Sequence, residues 1–163
     1  MNSKQKTLLK LILRCVTTVV IFVVMFTVVL KLHYYNDNNM FPVLSRGSLL
    51  ISYKLDDPLR NDIVLYKNDG TIVAGRIVAL EGDEVDISEN GELLINGVPV
   101  NETVFYPTVL PDGEGISYPH KVEKDSYFIL NDYRLSTNDS RMIGDVHKTD
   151  TEGAVVFFLG MIA

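Results

Sequence analysis

The chain has 163 residues, 47% of them hydrophobic, and a formal charge of −6 from 15 basic and 21 acidic side chains. That length suits one domain plus a short anchor. Residues 1–32 hold five basic residues and no acidic one, so the remainder carries ten basic against 21 acidic, a net of −11 that excludes nucleic acid as a partner. The only cysteine, Cys15, falls in an apolar run, leaving the rest to fold without disulfides.

Residues 1–7 read as a basic tail, expected in the cytoplasm, and residues 8–32 as a transmembrane anchor. From Cys15 to Leu30 the chain is uncharged, with Arg14 and Lys31 at its ends. Counted from Leu8, the apolar run reaches the ~20 residues that a bilayer core requires. A buried core helix would show a polar stripe, and this run has none. A cleavable signal peptide is opposed by the bulky exit Lys31-Leu32-His33-Tyr34-Tyr35, which offers no small-x-small cleavage site. Lys4, Lys6, Lys10 and Arg14 precede the core and only Lys31 follows closely, so the positive-inside rule puts the N-terminus in the cytoplasm. The expectation is a single-pass protein of the cell membrane, contacting the lipid bilayer through residues 8–32, with residues 36–163 forming an extracellular domain.

That domain reads as a succession of short strands. Ser48 to Lys54 and Asp62 to Tyr66 are β-branched and aromatic runs of strand length. Asn68-Asp69-Gly70 signals a tight hairpin leading into a strand over Thr71 to Leu80. Gly75, in the middle of that strand, implies a bulge or a close backbone approach. Val85 to Ser88 and Glu92 to Gly97 form a second hairpin closed at Asn90-Gly91. Residues 101–121, with Pro107, Pro111 and Pro119 among Asp-Gly and Glu-Gly steps, predict a long and mobile surface excursion. Ser126 to Leu130 and Ala154 to Leu159 complete the strands. No stretch after residue 36 has a helical period, so the fold class is mostly β, an antiparallel domain preceded by one N-terminal helix.

Three stretches carry the chemistry. They are Asn39-Met40-Phe41-Pro42, then Val73 to Asp83, then Asn131 to Gly144, with Asn61-Asp62-Ile63-Val64 ahead of the second. In this order they resemble the boxes of type I signal peptidases (peptidase family S26), membrane-anchored Ser/Lys proteases of protein secretion, and the resemblance covers nearly the whole chain. It implies an antiparallel signal-peptidase-like β domain. The family's first box reads Ser-x-Ser-Met-x-Pro, whose second serine is the nucleophile; Asn39 stands there. Its second box reads Lys-Arg-x-x-Gly-x-x-Gly-Asp, whose lysine is the base; Gly75 stands there. The oxyanion-hole serine, two residues before the nucleophile, falls at Asp37. Thr137 matches the serine that contacts the lysine in the family. Gly82-Asp83 and Gly144 keep their places, and the resemblance pairs Arg76 with Asp139.

Nucleophilic catalysis needs a removable proton and an adjacent base. A carboxamide at Asn39 and a bare backbone at Gly75 supply neither, and a carboxylate at Asp37 would repel an oxyanion. Loss of one member of such a unit costs on the order of 10⁴ to 10⁶ in rate in a well-dissected serine protease. The expectation is therefore a pseudoenzyme with no catalytic residues, metal or cofactor. It resembles the inactive companions encoded with pilin and sortase genes in Gram-positive bacteria, which implies pilus assembly by binding pilin or sortase. A peptide held as an added strand would use a groove walled by Met40, Phe41, Pro42, Ile51 and Tyr53. The enzyme alternative is a signal peptidase with atypical catalytic residues, drawing on Ser45, Ser48 or Ser136; His33, His120 and His147 match no motif position. A third class is a membrane-linked adaptor unrelated to export.

Overall fold

The computed structural model describes residues 2–113 and 115–160; Met1, Glu114 and residues 161–163, which the expected tail, excursion and domain include, lie outside them. Helix α1 runs over Ser3–Val24, opened by a capping box between Asn2 and Gln5, and continues into a π turn at Met25–Val29. None of its residues is buried, which excludes a core helix. Its length and apolar character suffice to cross a membrane.

The helical segment ends three residues before the boundary drawn at Leu32. Strand β1 occupies Leu30–Tyr34 and pairs along its whole length with β2, Leu49–Tyr53. Apolarity misplaced the boundary because Leu30 and Leu32 serve the sheet and not the anchor. The remaining strands are β3 (Ile63–Asn68), β4 (Thr71–Leu80), β5 (Glu84–Ile87), β6 (Leu93–Ile95), β7 (Val98–Pro99), β8 (His120–Lys121), β9 (Ser126–Leu130), β10 (Val146–His147) and β11 (Thr151–Leu159). Every pairing is antiparallel. Seven strands form one sheet in the order β1-β2-β11-β3-β4-β9-β10, and four form a second in the order β7-β6-β5-β8.

Local chemistry explains the turns. Asp69 and Gly70 both take positive φ (47° and 76°), which matches the right-handed twist of the β3–β4 hairpin. Tertiary packing decides the core. Leu50, Ile63, Leu65 and Ala74 on one face of the large sheet are capped by Tyr35, Met40 and Leu44 from the loop after β1. Val64, Tyr66, Ile77, Tyr127 and Ile129 make a second cluster. The small sheet adds Val85, Leu93 and Ile95 against Phe128 and Leu130.

The described residues between 101 and 119 form no regular element, yet this segment is stitched down. Thr108 is buried and its N–H donates to the Gly91 carbonyl (2.8 Å), Glu102 pairs with Arg134, and the Val109 carbonyl accepts from Arg141 (2.6 Å). The segment thereby supplies the buried arginines of the third box with two of their acceptors, Glu102 for Arg134 and the Val109 carbonyl for Arg141. A short helix α2, Ser140–Ile143, also escaped the sequence reading; one turn is too short to show a period.

Candidate functional site

The loop after β1 fixes Asn39. Asp37 Oδ1 accepts the N–H groups of Asn38 (2.6 Å) and Asn39 (3.3 Å), and its Oδ2 accepts Asn39 Nδ2 (2.8 Å). The Asp37 carboxylate is thus consumed in holding its own loop, and the Asn39 carboxamide is turned onto it. Met40, fully buried, anchors the next position, its N–H donating to the Tyr35 hydroxyl (3.1 Å). Phe41 and Pro42 then emerge at the surface.

Gly75 lies opposite Val64 in the β3–β4 ladder. A Cβ at Gly75 would overlap the Ile129 γ2-methyl and come within 3.1 Å of Tyr66 Cε1 and 3.6 Å of the Leu130 carbonyl oxygen. The close approach expected from a strand glycine is therefore present, and a bulge lies two residues on in the β4–β9 ladder, between Ile77 and Ala79. Space for a lysine stem is filled by Ile129 and Tyr66. The Tyr66 hydroxyl is buried with no hydrogen-bond partner among the described residues. Burial, chiefly, and the nearby Asp139 carboxylate and Tyr35 hydroxyl push its pKa above the usual phenol range. The position holds a neutral phenol and the Ile129 side chain.

The third box brings the others together. Tyr133 N–H donates to the Asn39 carbonyl (2.9 Å), and Asp132 grips Arg76 bidentately, through Nε to Oδ1 (2.7 Å) and Nη2 to Oδ2 (2.6 Å). The pairing of Arg76 with Asp139 is therefore corrected. Asp139 binds Arg141 bidentately (2.8 and 2.6 Å), caps α2 through the Arg141 N–H (3.1 Å) and accepts the Asn131 N–H (2.9 Å). Neighbouring side chains on a strand face opposite ways, so Gly75 and Arg76 look into different spaces. Asp139 lies on the Tyr66 side and Asp132 on the Arg76 side. Asp139 and Arg141 are both fully buried, and Arg141 also donates to the carbonyls of Val109, Arg134 and Ser136.

Ser48, His120 and His147 are engaged elsewhere, whereas His33, with a buried Nε2 that has no hydrogen-bond partner among the described residues, lines a groove floored by Leu50 and Leu65. Ser48 Oγ donates to the Ser45 carbonyl (2.7 Å), His120 contacts Asp145 (2.8 Å) and His147 contacts Thr149 (2.8 Å). Ser136 and Thr137 are half-buried at the approach to α2. No group of three or more His, Cys, Asp or Glu suited to a metal ion occurs among the described residues.

A groove of about 330 Å³ runs between His33 to Asp37 and Thr71 to Val73, floored by Leu50 and Leu65. Among the described residues both walls have an open backbone edge: β1 pairs only with β2, and β4 meets β9 only from Arg76 onward. The residues expected to wall the groove lie elsewhere. Met40 is in the core, and Pro42 lines a separate cavity of about 250 Å³ beside Arg76, Asp132 and Glu102. Leu50 faces the groove, so strand alternation turns Ile51 and Tyr53 to the other side. Phe41 lines neither cavity. Two residues of this region were given no role from sequence: Arg134, inside the third box and completely buried, and its partner Glu102. Burial lowers the Arg134 pKa and raises that of Glu102, outweighing their mutual attraction.

Comparison with known proteins matches residues 8–159 to the family described as signal peptidase, peptidase S26. The chain is 32% identical over 158 residues to the probable signal peptidase I-2 of Synechocystis sp., covering 89% of this chain and 70% of that protein. It is 24% identical to the inactive signal peptidase IA of Staphylococcus aureus strain Mu50, covering 92% and 90% of the two. The crystal structure of a signal peptidase I from Enterococcus faecalis V583 superposes with a TM-score of 0.50 at 27% identity, over 62% of this chain and 98% of that one. The family match over residues 8–159, the order of the three boxes and their meeting through Tyr133–Asn39 and Arg76–Asp132 lead to one conclusion: the chain belongs to the signal peptidase family, peptidase S26.

Proposed function

We propose that this chain is a peptidase-inactive member of its family that holds an extended peptide beside the membrane and assists pilus assembly by binding pilin or sortase. The observation that carries the inactive reading is at Gly75. The base is absent and its space is taken by Ile129 and Tyr66, while the residue at the nucleophile position is turned onto Asp37. A second observation supports retained peptide binding. The open edges of β1 and β4 flank the groove, and strand addition needs main-chain edges more than reacting groups. The anchor would cross the membrane once, with its N-terminus in the cytoplasm and the β domain outside. Pilin and sortase come from the resemblance and not from a contact residue.

The test uses the purified full-length chain in detergent and a fluorogenic signal-peptide substrate. No cleavage is expected. Reproducible cleavage that disappears on substituting Ser45, Ser48 or Ser136 would establish the atypical peptidase instead. The partner is tested by co-expression with pilin and sortase: one should co-purify with the wild type and be lost when charge is placed in the groove by Leu50→Glu or Thr71→Glu.

A further inference from the structure

One carboxylate in this domain serves three ammonium groups. Glu152, only 6% exposed on β11, pairs with Lys31 on β1, with Lys54 just after β2 (3.6 Å) and with Lys67 on β3 (3.8 Å). These elements belong to four adjacent strands, β1-β2-β11-β3. Proximity to the lysines outweighs burial and holds the Glu152 carboxyl below its usual range, so it is ionised. Among the described residues no other carboxylate lies within salt-bridge distance of the three lysines, and the cluster carries a surplus of two positive charges. The rest of the outer domain has the opposite sign. Arg60, Arg76, Arg134, Arg141 and Lys148 each have a carboxylate of their own, within a segment holding 21 acidic residues.

The position of this surplus is as telling as its sign. Lys31 is the second residue after the helical segment ends at Val29, and the Lys54 N–H donates to the Val29 carbonyl (3.2 Å). Two of the three ammonium groups are therefore fastened at the exit of the apolar helix, where lipid headgroups meet the domain. Leu32, Tyr34, Leu49, Phe157 and Leu159 are all exposed on the opposite face of the same strands, so the basic cluster and an apolar face share these strands. Lys54 and Lys67 keep about half of their side-chain surface free. Ammonium groups with unused N–H donors suit phosphate oxygens.

We infer that Lys31, Lys54 and Lys67, arrayed around Glu152, form a binding site for the phosphate headgroup of an anionic phospholipid at the junction of helix and domain. Glu152 acts as the hub that keeps the three lysines together, and the site sets how the groove stands over the bilayer. The inference rests on the membrane-anchor reading.

The experiment uses the full-length chain in neutral detergent, with lipid retention measured by native mass spectrometry. Phosphatidylglycerol should be retained in preference to phosphatidylcholine with the same acyl chains. In Lys54→Gln and Lys67→Gln, phosphatidylglycerol retention should fall about fivefold for each lysine removed, while phosphatidylcholine retention is unchanged. Lys54→Arg with Lys67→Arg should keep the preference, and unchanged thermal melting of all variants would show that the fold is intact. Equal retention of the two lipids, or undiminished phosphatidylglycerol binding by the double glutamine variant, would overturn the site. Displacement of the lipid by millimolar inorganic phosphate would overturn the lipid assignment in favour of a free anion. Alkaline carbonate washing separates the two levels. A chain released from membranes defeats the anchor reading and the inference with it, whereas a retained chain without lipid preference defeats the inference alone.

Discussion

The two halves of the central site have been treated differently. Around Asp132 and Asp139 the charges are kept and matched, each carboxylate gripping an arginine through two hydrogen bonds. Around Asn39 and Gly75 the Asp37 carboxylate is bound to its own loop, and the Tyr66 phenol beside Gly75 stays neutral. A buried charge without a partner costs several kcal/mol, so neither member of a buried pair can drift alone. A catalytic lysine has no such partner to hold it in place. Once removed, its cavity can be closed by ordinary apolar packing, which stabilises the fold.

The comparison breaks most readily at Asp139. Asp139→Ala would leave Arg141 fully buried without its carboxylate, and we expect a loss of about 3–5 kcal/mol by denaturant melting. Asp132→Ala should cost less, because Arg76 remains about a quarter exposed and can turn to water. Equal losses at the two sites would mean that burial does not separate them.

A medium effect is expected at Gly75. Gly75→Ala should destabilise by about 1–3 kcal/mol through overpacking against Ile129 and Tyr66. The contact is with the Ile129 γ2-methyl, which leucine lacks, so Ile129→Leu should relieve much of the cost in a double-mutant cycle. Additive losses would show that the lysine space is not filled in the way described.

The smallest effect tests the orphan hydroxyl. Tyr66→Phe removes a buried O–H with no partner and should leave stability unchanged or raise it by about 1 kcal/mol. Its pH signature is specific. Tyr66 has a folded-state pKa raised above the unfolded value of about 10, so its contribution is fully present below that pH and is lost as pH rises above it. Alkaline melting curves of the phenylalanine variant should therefore fall less steeply beyond about pH 10. A variant as alkali-sensitive as the wild type would place the hydroxyl in contact with solvent.

How far the chain could be read before folding depends on the range of the interaction. Asp69-Gly70 fixes its hairpin because only residues tolerant of positive φ can close it, and Thr71–Leu80 is a strand in which β-branched residues fit the pleat. The apolar helix, the antiparallel strands and the register of the three boxes were all legible, as was the absence of serine at 39 and lysine at 75. These are properties of single residues and near neighbours. What folding alone decided was partnership across long sequence separations. Arg76 could have met either aspartate, and only the alternation of β4 sends it to Asp132, 56 residues away. Ile129 fills the Gly75 space because β9 lies beside β4, and the groove lies at His33 and Thr71 because two strand edges are left open there. Composition names the groups available; the packing of strands distant in the chain determines which of them touch.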